Sequence, residues 1–158
     1  MLLSEHEKYM KLALAQAKAA YRNGEVPVGA IIVRNGEVIA TAHNLMEKKH
    51  DATAHAEILA IRKASKFIND WRLSDCTLYS TLEPCVMCIG ACVNSKLKGL
   101  VFGAYDERLG CAGSRIDLGD SWFNHSIVTI GGVMEKECAL LLKRFFLDKR
   151  SNDARFYN

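Results

Sequence analysis

Proline is scarce in this 158-residue chain, with 2 in all, and no Pro/Ser-rich linker, low-complexity tract or internal repeat divides it. A chain of this length without such breaks is expected to form one domain around one core. Long apolar runs are also missing. No window approaches the roughly 18 uninterrupted apolar residues of a membrane span. Met1, Leu2 and Leu3 give way at once to Ser4, Glu5, His6 and Glu7, so the start lacks the apolar region of a signal peptide. The expected location is therefore the reducing cytoplasm, where 6 cysteines read as metal ligands or buried thiols rather than disulfides. With 49% hydrophobic and 25% charged residues, disordered, collagen-like and fibrous classes are excluded. Acidic charge is lacking only at the end: the first 140 residues are neutral, and the last 18 hold the whole net charge of +3. Lys143, Arg144, Lys149, Arg150 and Arg155 there face only Asp148 and Asp153. Such an excess fits a polyanionic partner, or the solvated face of a terminal helix.

What is present reads as alternating helices and strands. Ser4 and Glu7 have the spacing of a capping box. Behind them Met10, Ala13, Leu14, Ala17, Ala20 and Tyr21 recur at helical period, up to Asn23-Gly24. Asn35-Gly36 between Ala30–Arg34 and Glu37–Ala42 predicts a hairpin. From Thr53, the residues Ala54, Ile58, Ile61 and Ser65 predict a second helix, with Thr53 or Asp51 as its cap. Cys76–Leu82 alternates as a strand, and Pro84 suits the first position of a third helix. Leu100–Phe102 and Ile127–Ile130 read as strands on either side of a Gly- and Asp-punctuated loop. Glu135 to about Lys149 reads as a closing helix. The pattern predicts an α/β fold, a three-layer α/β/α sandwich with a mixed five-stranded sheet. Residues 1–150 would form the single domain and 151–158 a C-terminal tail.

Two clusters carry chemistry: His55-Ala56-Glu57 and Pro84-Cys85-Val86-Met87-Cys88. Cys85 and Cys88, three apart at a helix start, present both sulfurs to one face, and His55 adds a nitrogen. Helix N-termini carry positive potential, which favours the thiolate that a metal binds. Three mixed S and N ligands suit Zn²⁺ and leave a fourth position for water, as in catalytic rather than structural sites. Glu57, two residues from His55, would not share its face on a regular helix, so it reads as a proton shuttle and not as a ligand. Zinc lowers the pKa of a bound water from 15.7 towards about 7, and hydroxide beside a carboxylate suits attack on an amine-bearing ring carbon. Cys76, Cys92, Cys111 and Cys138 read as buried apolar residues. His6, His43, His50 and His125 lack a cysteine partner at ligand spacing.

The combination H-x-E…P-C-x-x-C is the known signature of zinc-dependent nucleobase deaminases. From about residue 5 to 150 the chain resembles the bacterial tRNA-specific adenosine deaminase family. The likeness rests on Glu25-Val26-Pro27-Val28-Gly29-Ala30, Asp51…His55-Ala56-Glu57 and Thr81-Leu82-Glu83-Pro84-Cys85-Val86-Met87-Cys88. It continues through Phe102-Gly103-Ala104-Tyr105-Asp106, Gly110-Cys111-Ala112-Gly113-Ser114 and Asn124-His125. Ala52 stands where many members carry Pro. The resemblance implies the cytidine deaminase-like fold, one Zn²⁺ per subunit, a homodimer, and conversion of the wobble adenosine of a tRNA anticodon loop to inosine. It further implies that Asn44 contacts the target nucleoside, that Val28 and Ala30 line the base pocket, and that Glu83 and Pro84 sit by the leaving ammonia. Asp106 would lie in a nucleic-acid contact loop and Asn124 near the flipped nucleotide.

Lys143 and Arg144 beside Phe145 and Phe146 make a basic aromatic segment suited to phosphates and a splayed base. Adjacent helical residues diverge by about 100°, so one of the two rings is expected in the core. Two rival readings share the metal motif. One is a zinc deaminase of a free base or nucleotide, such as guanine, cytosine or deoxycytidylate. The other is a non-catalytic, zinc-stabilised RNA-binding module, which Glu57 opposes because a structural site more often closes its fourth position.

Overall fold

The computed structural model describes residues 2–120 and 124–156. Asn35 and Gly36 both take positive φ, 51° and 79°, and so make the tight turn between β1 (Gly29–Arg34) and β2 (Glu37–His43). β1 also pairs antiparallel with β3 (Cys76–Leu82), which runs parallel to β4 (Gly99–Ala104), itself parallel to β5 (Val128–Ile130). The sheet order is β2-β1-β3-β4-β5, a mixed five-stranded sheet as expected.

Helices cover both faces. α1 (Leu3–Arg22) and α5 (Glu135–Phe156) pack on one, and α3 (Ala56–Ile68) and α4 (Val86–Asn94) on the other. A single turn, α2 (Met46–Lys49), follows β2. The strand period of two divides the core. Ala30 and Ile32 join the α3–α4 side with Leu78 and Phe102, while Ile31 and Val33 join the α1 side with Tyr79 and Val101. Gly29 is required where α1 crosses β1, because a Cβ there would overlap the backbone at Ala13 and Ala17.

Several local expectations are corrected. α1 begins one residue before Ser4, with Leu2 as its cap residue and no side-chain cap bond, so the Ser4–Glu7 capping box does not form. Ser4 already lies in the first turn. α3 begins only after His55, because Asp51 Oδ1 accepts from the Thr53 N–H and hydroxyl and closes a separate turn. The buried face of the helix is Ala56, Glu57, Leu59, Ala60 and Ala64 rather than Ile58, Ile61 and Ser65, while Ala54 is buried but precedes the helix. Pro84 precedes Cys85, the cap residue of α4, and so lies outside the helix. α5 runs on to Phe156, so 151–156 is not a separate tail but the end of that helix, and 157–158 lie outside the described residues. Among the described residues no helix is long and apolar enough to cross a membrane.

Candidate metal centre and cavity

The mixed sheet brings four chain segments to one end: the start of β1, and the ends of β2, β3 and β4. Ligands of open α/β sheets bind beyond such strand ends. A cavity of about 190 Å³ lies there, walled by Val26, Val28, Asn44, Met46, Leu82, Asp106 and Leu109, with His55, Glu57 and Cys85 also lining it.

His55 is the cap residue of α3 and Cys85 that of α4, both in extended backbone. Two helix N-termini therefore converge on one point and hold positive potential against it. His55 Nδ1 lies 3.7 Å from Cys85 Sγ and 3.4 Å from Cys88 Sγ. A tetrahedral zinc bound at ordinary Zn–S and Zn–N lengths would separate such a pair by about 3.6 Å. Among the described residues His55, Cys85 and Cys88 form the one group of metal-ligating side chains. The Cys85 thiol is pushed down to about 4, first by its hydrogen bond with Cys88 and then by His55, which favours the thiolate that a metal binds. Cys88, the other partner of that bond, is pushed up. The donor set and its spacing fit zinc.

Glu57 is buried, and its Oε1 has no hydrogen-bond partner among the described residues. Burial pushes its carboxyl up from the ordinary value. His55 and Glu57 line the same cavity, although residues two apart on a helix diverge, because His55 stands outside the helix. An orphaned carboxylate oxygen beside three metal donors is placed to exchange protons with a small polar species in the cavity.

The remaining expected residues divide. Val28 and Asn44 line the cavity. Asn44 Oδ1 accepts from the Met46 N–H at 3.1 Å and Nδ2 donates to the Val26 carbonyl at 3.4 Å. Ala30 does not line it: it is fully buried between β2 and β3, opposite Ala42 and Ser80. Pro84 is buried and offers its carbonyl to the Cys111 N–H. Glu83 reaches the cavity wall but spends its carboxylate on the 106–114 segment. Asp106 lines the cavity while its Oδ1 caps the Arg108 and Leu109 amides. Asn124 is exposed and away from the cavity lining. Lys143 and Arg144 are exposed on α5, Arg144 beside a groove shared with Lys11 and Lys18 of α1. Phe145 is buried and Phe146 exposed.

The MafB19-like deaminase family model matches residues 4–150. The tRNA-specific adenosine deaminase of Bacillus subtilis (strain 168) is 48% identical over 149 residues, 94% of this chain and 92% of that protein. The chain belongs to the tRNA-specific adenosine deaminase family. A solved structure from work on A-to-I editing by tRNA:A34 deaminases aligns with a TM-score of 0.81 at 37% identity, covering 85% of this chain and 98% of that one. A guanine deaminase from Nitrosomonas europaea aligns with a TM-score of 0.75 at 27% identity, covering 88% and 83%. The cytidine deaminase-like fold expected from the resemblance is thus the fold observed.

This family member also uses residues that no chemical pattern singled out. Val26, Met46, Leu82 and Leu109 supply apolar cavity wall. Buried Glu25 accepts from the Glu47 and Lys48 amides at 2.9 and 3.0 Å, which pins α2 and with it Met46. The only sequence signal was a charged residue inside the apolar Glu25–Ala30 block, since both partners lie more than 20 residues away.

Proposed function

We propose that this protein hydrolytically deaminates the wobble adenosine of a tRNA anticodon loop to inosine, as a homodimer holding one Zn²⁺ per subunit. One observation carries the reading: His55, Glu57 and Cys85 line a cavity, with Cys88 completing the donor group behind them, in a chain 48% identical, over 94% of its length, to a tRNA-specific adenosine deaminase.

His55 Nδ1 and the sulfurs of Cys85 and Cys88 would hold the metal. When bound, zinc lowers the pKa of a water towards about 7 and so supplies a nucleophile at neutral pH. Glu57 carries two protons in turn at its free Oε1: the first from the attacking water to a ring nitrogen, the second from the hydroxyl added to the ring carbon to the departing amine, which leaves as ammonia. Val26, Val28, Met46, Leu82 and Leu109 exclude bulk water and receive the faces of the base. The second Nδ2 hydrogen of Asn44 remains available for the nucleoside. An adenosine reaches these groups only after being flipped out of the anticodon loop. Lys149 and Phe145 border a groove that shares Val26, Asn44 and Met46 with the cavity, which supports an RNA path along α5. Val86, Leu109 and Ile116, all more than half exposed, leave apolar surface on α4 and the loop beside it, of the kind a subunit interface covers. A tRNA substrate supports action in the cytoplasm.

Likeness to a guanine deaminase favours, as the second reading, a free-base deaminase with the same metal chemistry. Separate incubation of the zinc-loaded protein with an anticodon stem-loop, adenosine, cytidine and guanine, with assays of ammonia and inosine, decides. Inosine from the RNA alone is expected. Ammonia from guanine or cytidine with none from the RNA overturns the proposal, and RNA binding without any ammonia leaves a binding module.

A further inference from the structure

Glu83 directly follows β3 at the cavity wall and is 2% exposed. Among the described residues every hydrogen bond of its carboxylate goes to one segment, residues 106–114. Oε1 accepts from the Asp106 N–H at 3.2 Å and from the Ser114 hydroxyl, and Oε2 accepts from the Ala112 and Ser114 N–H groups at 3.1 and 3.0 Å. Gly110 makes room for this arrangement: a Cβ there would overlap both the Glu83 carboxylate and the Asp106 carbonyl.

The later part of the segment is anchored besides, since Cys111 and Ala112 are buried in the core and the Cys111 N–H donates to the Pro84 carbonyl. The Asp106–Leu109 stretch has less: it lies in no helix or strand, and Leu109 is 62% exposed. Yet it supplies Asp106 and Leu109 to the cavity wall. A wall with few buried apolar contacts opens easily unless hydrogen bonds restrain it. A buried carboxylate receiving several donors gives the stronger, charge-assisted kind of bond.

We infer that Glu83 is a positioning residue: it holds the 106–114 segment so that the Asp106–Leu109 wall stands ready before the base arrives. Glu83 lines the cavity, where the leaving ammonia was expected beside it, but its oxygens are committed to the loop. The inference rests on the proposed deaminase reading for what the wall receives, but not for the tether itself. If the wall stands in place only a fraction of the time, apparent affinity falls by that fraction. Losing contacts that substrate and transition state share raises KM and spares kcat.

The test compares Glu83→Gln, Gly110→Ala and Ser114→Ala with wild type as zinc-loaded full chains. Amide hydrogen exchange at Asp106, Ala112 and Ser114, zinc content, and kinetics on an anticodon stem-loop are measured. Glu83→Gln turns an NH₂ towards backbone donors, and Gly110→Ala displaces the loop with the carboxylate intact. Both should speed exchange at these amides about tenfold, and raise KM about tenfold with kcat within about threefold and zinc retained. Ser114→Ala should shift the same quantities less. If Glu83→Gln does not fold, Gly110→Ala carries the test. A fall in kcat at unchanged KM, with normal exchange, would place Glu83 in the chemistry and overturn the inference. So would unchanged exchange in both loop variants. If wild type fails to deaminate the stem-loop, the functional reading fails while the exchange arm still decides the tether.

Discussion

The rings of Phe145 and Phe146 meet edge to face with centroids 5.4 Å apart, yet they occupy opposite environments. Phe145 is 8% exposed and stands edge-on to Tyr21 of α1, whose hydroxyl donates to Asp148; Phe146 is 44% exposed. Phe145→Ala should therefore cost about 3–5 kcal/mol of stability in urea unfolding. Phe146→Ala should cost under about 0.5 kcal/mol. If Phe146 stacks on RNA, its loss weakens binding of the stem-loop by about 1–3 kcal/mol at unchanged stability.

The metal donors and Glu57 should separate in a paired metal and activity measurement. Cys85→Ser, Cys88→Ser and His55→Ala each remove a donor from the three-residue group, so bound zinc and thermal stability should both fall. Glu57→Ala removes a carboxylate that lies outside that group. It should retain zinc and fold while turnover drops about 10²-fold or more. Zinc loss in Glu57→Ala, or near-normal turnover, defeats the division of roles.

Lys143, Arg144, Lys149 and Arg150 of α5 are exposed, and Lys149 borders the groove that meets the cavity. Changing Lys143, Arg144, Lys149 and Arg150 to Ala together should weaken tRNA binding without altering zinc content. The plot of log affinity against log salt should flatten by about 0.7–0.9 for each phosphate contact removed. Titrations at several salt concentrations measure this. An unchanged slope and affinity would make the face merely solvated.

His6 lies buried on α1 with Nδ1 2.9 Å from the Tyr79 hydroxyl, and burial holds its pKa below the usual 6.5. The folded chain thus resists a proton that the unfolded chain accepts. The stability this contributes is present above pH 6.5 and is lost as pH falls through 6.5 towards the lowered value. Melting temperature should drop more steeply for wild type than for His6→Gln between about pH 7.5 and about pH 5.5. The comparison cancels acid release of metal, which both proteins share. Parallel curves would show that His6 does not contribute.

Much of the fold was readable because its signals are local. Asn35-Gly36 favours positive φ whatever surrounds it, and the apolar period of residues 10–21 marks a helix by spacing alone. The metal donors were legible for the same reason. Cys85 and Cys88 are three apart, and His55 opens its own helix, so each cluster carries its geometry within a few residues. The misplaced features are those in which a local signal competed with a distant contact. Ser4 and Glu7 have the spacing of a capping box but lie inside a helix that begins earlier.

By itself, then, the sequence determined the donor set, the hairpin, the helical and strand periods and hence the layered class, since all follow from spacing and backbone preference within short windows. Tertiary structure alone decided the walls of the cavity. It put Val28 on that surface and Ala30 beneath the sheet, buried Phe145 rather than Phe146, and turned Glu83 onto amides 23 to 31 residues away. A carboxylate's role depends on which donors reach it, and an aromatic's on which surface covers it. Both are settled by how strands distant in the chain come to lie side by side.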